Sequence, residues 1–203
     1  MPLTELTALL VLATLTSFTP GPNTTLSTAL AANLGLRCAL RFVLAVPVGW
    51  ALLLCVCAAG IGGLVVTWPA LRIAIQSVGV GYLLWLAYKL VRTRHLANAN
   101  EATWQVSFLQ GVLLQFLNIK AWMLALTVVS GWMVGHDDAL QRFAIILPLM
   151  LCFGFASNLT YALAGSLLRE WLSGPDHTHQ RLRLFNRSMA AILVATALWM
   201  TQL

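Results

Sequence analysis

The chain has 203 residues, of which 60% are apolar and only 9% are charged, and its formal net charge is +6. Soluble domains contain roughly 45–50% apolar and about 25% charged residues, so we exclude a soluble fold and predict an all-α integral membrane protein. Spans take up nearly the whole chain, which leaves no room for a soluble catalytic domain.

Six apolar stretches can each cross the bilayer, for which about 20 helical residues are needed. In chain order they cover residues 3–34, 39–66, 71–91, 108–134, 143–168 and 188–203. We therefore predict six transmembrane helices in a single domain that covers residues 1–203.

Basic residues predict the orientation of these spans. Only Arg72 and Arg142 lie in the even-numbered loops, whereas the odd-numbered loops hold nine basic residues: Arg37, Arg41, Lys89, Arg92, Arg94, Arg169, Arg181, Arg183 and Arg187. By the positive-inside rule the odd-numbered loops are cytoplasmic and both termini lie outside. The net charge is then explained by contact with anionic lipid, so no nucleic-acid partner is expected.

The first stretch is interrupted by two prolines. As one helix, residues 3–36 would be about 51 Å long, far longer than the bilayer is thick, so the helix must bend. Pro20 and Pro22 each lack a backbone N–H, and Gly21 between them tolerates unusual dihedral angles. We expect Asn23, followed by Thr24, to cap a second short helix whose amides face the break. A simple proline kink is the alternative.

The chain divides into two halves of three spans, about 1–97 and 104–203, at a polar connection. The same Arg-Phe-x4-Pro spacing opens span two and span five, where it ends at Pro47 and Pro148. Because three is an odd number, duplicated halves must insert with opposite orientations. We predict two inverted three-helix repeats, with helices 1 and 4 interrupted and both breaks brought together near the midplane.

Lys120 lies near the middle of the fourth span, two residues after Asn118. A cation at that depth costs about 2.5–3.5 kcal/mol on insertion scales and is a functional candidate by default. All six acidic residues lie at or beyond the span ends, so none is at hand as a partner. The alternative is that Lys120 extends to the membrane surface or makes a structural pair.

The fifth span carries a polar stripe. Gly154, Asn158, Tyr161 and Gly165 follow one another at spacings that place them on one helix face. The glycines would let another helix approach, and the two polar side chains offer donors and acceptors. Ordinary helix–helix contact is an equally good interpretation.

Together these residues predict a small zwitterionic ligand. Its carboxylate would contact Lys120 and the backbone amides at residues 23–25. Its ammonium would contact side-chain and freed carbonyl oxygens near Asn23, Asn118 and Asn158. A dicationic ligand fits poorly, because no acid within the membrane would balance its second charge.

Catalytic and metal chemistry are not indicated. The spans contain no acid–His pair, no HExxH motif and no serine beside a base. The four cysteines are expected to pack as small apolar residues, and His177 and His179 beside Asp176 form at most a stray surface metal site. We predict no catalytic residue, cofactor or resident metal. A membrane-embedded enzyme and a non-transporting scaffold subunit are the competing interpretations.

The PGPN motif at 20–23, with NIKA at 118–121, resembles the LysE/RhtB family of bacterial amino-acid exporters over nearly the whole chain. The second motif has the form Asn-aliphatic-Lys, and Asn158 and YALAG at 161–165 follow it downstream. In these features the chain is similar to the cysteine/O-acetylserine exporter branch. Ile119 replaces the commoner proline and keeps its amide, which weakens the expectation of a second proline break.

The resemblance implies a secondary active exporter in a bacterial inner membrane, with periplasmic termini. Its substrates would be small neutral amino acids or derivatives, either cysteine/O-acetylserine-like or homoserine/threonine-like, exchanged for protons. Lys120 is then the only conventional proton carrier in the spans. Burial disfavours its charged form and a substrate carboxylate favours it, so deprotonation and release would be linked. A homodimer is consistent with the small enclosure that two three-helix halves make.

Overall fold

The computed structural model describes residues 1–93, 96, 105–173 and 180–202. Within these ranges the secondary structure consists of nine α-helices and no strand. In chain order they are α1 (Leu3–Phe18), α2 (Pro22–Leu34), α3 (Leu36–Ala58), α4 (Gly62–Thr67), α5 (Pro69–Arg92), α6 (Phe108–Leu117), α7 (Ile119–Trp132), α8 (Ala139–Ser173) and α9 (Gln180–Met200).

Three of these helices, α3, α5 and α8, are long and apolar enough to cross a membrane. The bent pairs α1 with α2 and α6 with α7 pass the same test, so the described residues contain three spans, or up to five if each pair counts as one. The sixth predicted span, 188–203, overlaps α9, whose first turns carry Arg181, Arg183 and Arg187. The all-helical class is confirmed, and the count of six spans stays a prediction.

The second predicted span, 39–66, is divided in the structure. Helix α3 ends at Ala58 and α4 begins at Gly62. Between them Gly60 has a φ of 84°, a left-handed conformation that glycine adopts without steric cost. The apolar pattern runs through this turn, so hydrophobicity alone predicts a span that is too long.

Corresponding helices of the two predicted halves pack against each other. Helix α3 packs on α8, and α5 packs on α9. These pairs join the second span to the fifth and the third to the sixth. The two-repeat arrangement itself stays a prediction, and the connection at 97–104 that would separate the halves lies outside the described residues.

Glycines allow the closest helix contacts around the centre of the bundle. A Cβ built on Gly49 of α3 would lie 2.6 Å from the Val112 carbonyl oxygen of α6. A Cβ on Gly165 of α8 would collide with the Thr28 carbonyl of α2. The close approach predicted for Gly165 is confirmed, and it holds this end of α8 against α2. The same prediction for Gly154 is wrong, since a Cβ there would meet no described atom within 4 Å.

Helix α1 is packed much more lightly than α2. Only Leu9 and Ala13 of its residues are buried. At its start, Glu5 forms an ion pair with Arg142 of α8, whose Nε also donates to Asp138 at 2.6 Å. This cluster, together with the Trp132 indole that donates to the Glu5 carbonyl at 3.0 Å, ties the amino-terminal end of α1 to α7 and α8.

Candidate functional site

The first break lies between Phe18, where α1 ends, and Pro22, where α2 begins, and the two helices meet at an angle of 48°. The residue at the N-cap of α2 is Gly21, so the prediction that Asn23 caps this helix is wrong. Pro22 occupies the first helical position, where its missing N–H costs nothing. The Gly21 N–H donates to Thr24 Oγ1 at 2.9 Å, so Thr24 stabilises the turn.

Two side chains of α8 satisfy carbonyls that the first break sets free. In an unbroken helix, the N–H groups of residues 21 and 22 would donate to the carbonyls of Ser17 and Phe18. Instead, Ser157 Oγ donates to the Ser17 carbonyl at 2.5 Å, and the Tyr161 hydroxyl donates to the Phe18 carbonyl at 3.0 Å. Tyr161 thus stabilises the break, and it does not line the cavity described below.

The second break is sharper than the first, although no proline makes it. Helices α6 and α7 meet at 69° around Asn118, whose backbone is extended. The Trp122 indole donates to the Phe116 carbonyl at 2.8 Å, in place of the Lys120 N–H of a continuous helix. As expected from Ile119, this is not a proline break, and the Trp122 indole supplies the donor that replaces the lost backbone bond.

The two breaks meet in space. A Cβ built on Gly21 would lie 3.7 Å from Lys120 Nζ. Asn23 and Gln115 form a reciprocal amide pair, with Nδ2 to Oε1 at 2.8 Å and Nε2 to Oδ1 at 3.2 Å. Asn23 and Lys120 are each the second residue of the helix that follows a break. The amino-terminal ends of α2 and α7, and with them the positive ends of two helix dipoles, are therefore neighbours.

A cavity of about 90 Å³ lies between the two breaks and the middles of α3 and α8. We call it the central cavity. Seven of the nine predicted site residues line it: Gly21, Pro22, Asn23, Thr24, Asn118, Lys120 and Asn158. The other two lie apart from it, since Tyr161 contacts the Phe18 carbonyl and Pro20 faces a second cavity on the side of α9.

The central cavity combines one cation with a buried acceptor that lacks a donor. Of its described lining residues only Lys120 is charged, and within the described part of the chain this half-buried side chain makes no ion pair. The Asn118 Oδ1 atom is buried and has no hydrogen-bond partner among the same residues. Pro20 has no N–H to give to the carbonyl of Thr16, which also lines the cavity. A buried acceptor without a donor is costly, and a ligand with an N–H group would relieve that cost.

Asn158 already has partners of its own. Its Oδ1 accepts from Ser27 Oγ at 2.9 Å, and its Nδ2 donates to the Gly154 carbonyl at 2.8 Å. The side chain therefore joins α8 to α2 at the wall of the central cavity. Asn158 lines the central cavity, where a site residue was predicted. Its hydrogen bonds show that it also stabilises the contact between α8 and α2.

Gln115 is the main site residue that the sequence analysis missed. It is fully buried, it pairs with Asn23, and its Nε2 also donates to the Gly111 carbonyl at 3.1 Å. A signal was present, because Gln115 is a polar residue in an apolar helix, three positions before Asn118. Ser157 gave no comparable signal, since a single small hydroxyl residue is common in membrane helices.

Metal binding finds no support within the described ranges, which hold no group of three or more His, Cys, Asp or Glu residues. All four cysteines are free thiols. The stray metal site considered at His177, His179 and Asp176 lies outside the described residues.

Comparison with known proteins identifies the family. The family model described as "LysE type translocator" matches residues 14–201. The chain is 31% identical to a cysteine/O-acetylserine efflux protein of Salmonella typhimurium, over 77% of this chain and 80% of that protein. It is 29% identical to the Klebsiella pneumoniae protein of the same name, over 96% and 95%, and 28% identical to that of Escherichia coli K12, over 82% and 85%. No solved structure matches the chain.

Proposed function

Because this chain belongs to the LysE type translocator family, we propose that it exports small neutral amino acids or their derivatives across a bacterial inner membrane. The relatives named as cysteine/O-acetylserine efflux proteins support this substrate class. The same family membership argues against an enzyme.

The observation that carries the proposal is the position of Lys120 beside Gly21 in the central cavity. A substrate carboxylate would bind the ammonium of Lys120 and the amino-terminal end of α7, whose first turn has no side-chain cap. The substrate ammonium would donate to Asn118 Oδ1 and to the carbonyl oxygen of Thr16. One positive group and two acceptors match one zwitterion.

Charge balance sets the limits of the substrate class. The described lining of the central cavity holds one cation and no acid, so a neutral zwitterion adds no net charge to it. A second cationic group on the substrate would be left without a partner in a region of low dielectric. We therefore expect neutral amino acids to be exported and dibasic ones to be rejected.

Proton coupling is the second part of the proposal, and Lys120 is its candidate group. Loss of the Lys120 proton removes the charge that holds the carboxylate, so the affinity for substrate would depend on whether Lys120 is protonated. Lys120→Arg keeps the charge but resists deprotonation. We expect this variant in proteoliposomes to bind substrate and to lose most of the dependence of efflux on an imposed pH gradient. An unchanged dependence would assign the proton to another group.

Inverted membrane vesicles test the function itself. Their outer face corresponds to the cytoplasm, so wild-type protein should accumulate radiolabelled cysteine or O-acetylserine, and Lys120→Ala should reduce this uptake to background. Lys89→Ala is the matched control, because Lys89 lies in the last turn of α5 and stacks on Trp85. Vesicles in which neither the wild type nor the variants take up amino acids would favour a scaffold subunit.

A further inference from the structure

A second cavity, of about 320 Å³, opens beside the first break on the side of α9. We call it the α9 groove. One wall is formed by Thr19, Pro20, Gly21 and Lys120, and the other by Ile192, Ala195, Thr196 and Trp199. Thr19, Gly21 and Lys120 line the central cavity as well. The two cavities therefore adjoin at these three residues.

The α9 groove differs from the central cavity in its chemistry. Ile192, Ala195 and Trp199 present apolar surface, at spacings that place them on one face of α9. The two hydroxyl groups in the walls are already used, because Thr196 donates to the Ile192 carbonyl at 2.7 Å and Thr19 donates to the Leu15 carbonyl. A polar side chain placed here would find no free hydroxyl donor on these walls.

Gly21 lies on the wall that the two cavities share. Its backbone has a φ of −166°, which any residue can adopt, so the glycine is not needed for the conformation of the chain. The space beside it is open, because a Cβ here would make only ordinary contacts, 3.7 Å from Lys120 Nζ and 3.9 Å from the Thr19 carbonyl oxygen. A group bound to Lys120 would pass Gly21 to reach the α9 groove.

We propose that the α9 groove receives the side chain of the exported amino acid while its carboxylate and ammonium occupy the central cavity. This inference rests on the proposed function and deepens it, because it assigns substrate selectivity to α9. The central cavity, which holds Lys120 and Asn118, suits the two charged groups that every amino acid shares. The α9 groove, where Ile192, Ala195 and Trp199 form one wall, suits aliphatic and sulfur-containing side chains.

The test changes the size of the α9 groove and measures selectivity. Ala195→Trp fills the groove, and Trp199→Ala enlarges it. Leu198→Trp is the matched control, since it adds the same ring to an exposed position of α9 that does not line the groove. Each variant is assayed in inverted vesicles for uptake of radiolabelled methionine, leucine and alanine, with protein amount and folding checked by size-exclusion chromatography in detergent.

The expected result is a change in ratios between substrates. Ala195→Trp should lower uptake of methionine and leucine relative to alanine by about tenfold, the effect of one or more methylene groups that no longer fit. Trp199→Ala should raise the same ratio, and Leu198→Trp should leave it unchanged. Equal losses for all three substrates, or unchanged ratios in both groove variants, would overturn the inference and leave the exporter assignment in place. Absence of cysteine and O-acetylserine uptake by the wild type in the same vesicles would instead overturn the proposed function.

Discussion

The Nζ atom of Lys120 lies 3.7 Å from the position that a Cβ on Gly21 would occupy, which brings together two helix breaks from opposite halves of the chain. The ammonium therefore faces the proline-rich turn and the amino-terminal end of α2, where carboxylate groups bind well. Because no acid lines the central cavity among the described residues, a substrate would supply the missing negative charge.

Gly21→Ala tests whether access to Lys120 Nζ limits transport. The added methyl group would make only ordinary contacts and needs no unusual φ, so the protein should fold with unchanged stability. It would nevertheless cover part of the ammonium, and we expect KM for uptake to rise by about tenfold, or about 1.4 kcal/mol of lost binding. Gly131→Ala, at a glycine with nothing within 4 Å of the added atom, should transport like the wild type. A normal KM in Gly21→Ala would show that the substrate does not approach this side of Lys120.

The Asn23–Gln115 pair should couple the two breaks energetically. Gln115→Ala leaves the Asn23 amide without its partner, and we expect a loss of about 1–3 kcal/mol in the free energy of unfolding in detergent. Adding Asn23→Ala to this variant should lower the free energy of unfolding much less than Asn23→Ala does in the wild type, since the two residues share their hydrogen bonds. Strictly additive losses in this double-mutant cycle would mean that the pair does not hold the breaks together.

Tyr161→Phe should affect stability and leave substrate affinity alone. Removal of the hydroxyl leaves the Phe18 carbonyl without the donor that replaces the missing N–H of Pro22, at a cost of about 1–2 kcal/mol. Because Tyr161 does not line the central cavity, KM should stay within twofold of the wild-type value. The control is Tyr88→Phe, at an exposed tyrosine that stacks with Arg92. A large change in KM with unchanged thermal stability would show that Tyr161 contacts the substrate.

The cluster at the start of α1 should make stability depend on pH in the acid range. A hydrogen bond from Arg142 holds the pKa of Asp138 below its usual value. A lowered pKa in the folded state stabilises the protein above the unfolded value, and that stabilisation is lost as the pH falls through the folded pKa. We expect thermal stability to fall below about pH 4, and to fall less steeply in Asp138→Asn. Parallel pH profiles for the two proteins would show that the contact between Asp138 and Arg142 does not contribute to thermal stability.

Covalent properties of single residues explain why the first break was predictable and why Lys120 was singled out as a candidate. A proline lacks a backbone N–H in any setting. An ammonium within a membrane span is costly and therefore marks a candidate functional residue. The cap of α2 was predicted wrongly at Asn23, although Pro22 favours the first helical position and so points to Gly21 as the N-cap. The second break was underestimated because its stabilising donor, the Trp122 indole, depends on a side-chain orientation that sequence does not show.

Contacts between distant segments were the part that sequence did not reveal. Gln115 pairs with a residue 92 positions away, and Ser157 and Tyr161 donate to carbonyls that are 140 and 143 positions away. Each of these bonds depends on how the helices are rotated about their axes. Periodicity placed Asn158 and Tyr161 on one face of α8, but it could not distinguish a residue that lines the cavity from one that satisfies the break beside it.

The most direct test of the site compares a substrate with and without its carboxylate, in proteins with and without the Lys120 ammonium. Binding of cysteine and of cysteamine, which lacks the carboxylate, is measured by competition against radiolabelled O-acetylserine in detergent-purified wild type and Lys120→Ala. If the ammonium binds the carboxylate, the wild type should prefer cysteine by about tenfold or more, as expected for a charge-assisted contact of about 1.5–3 kcal/mol, and Lys120→Ala should lose most of this preference. An undiminished preference for cysteine in Lys120→Ala would contradict the assignment of the carboxylate to Lys120.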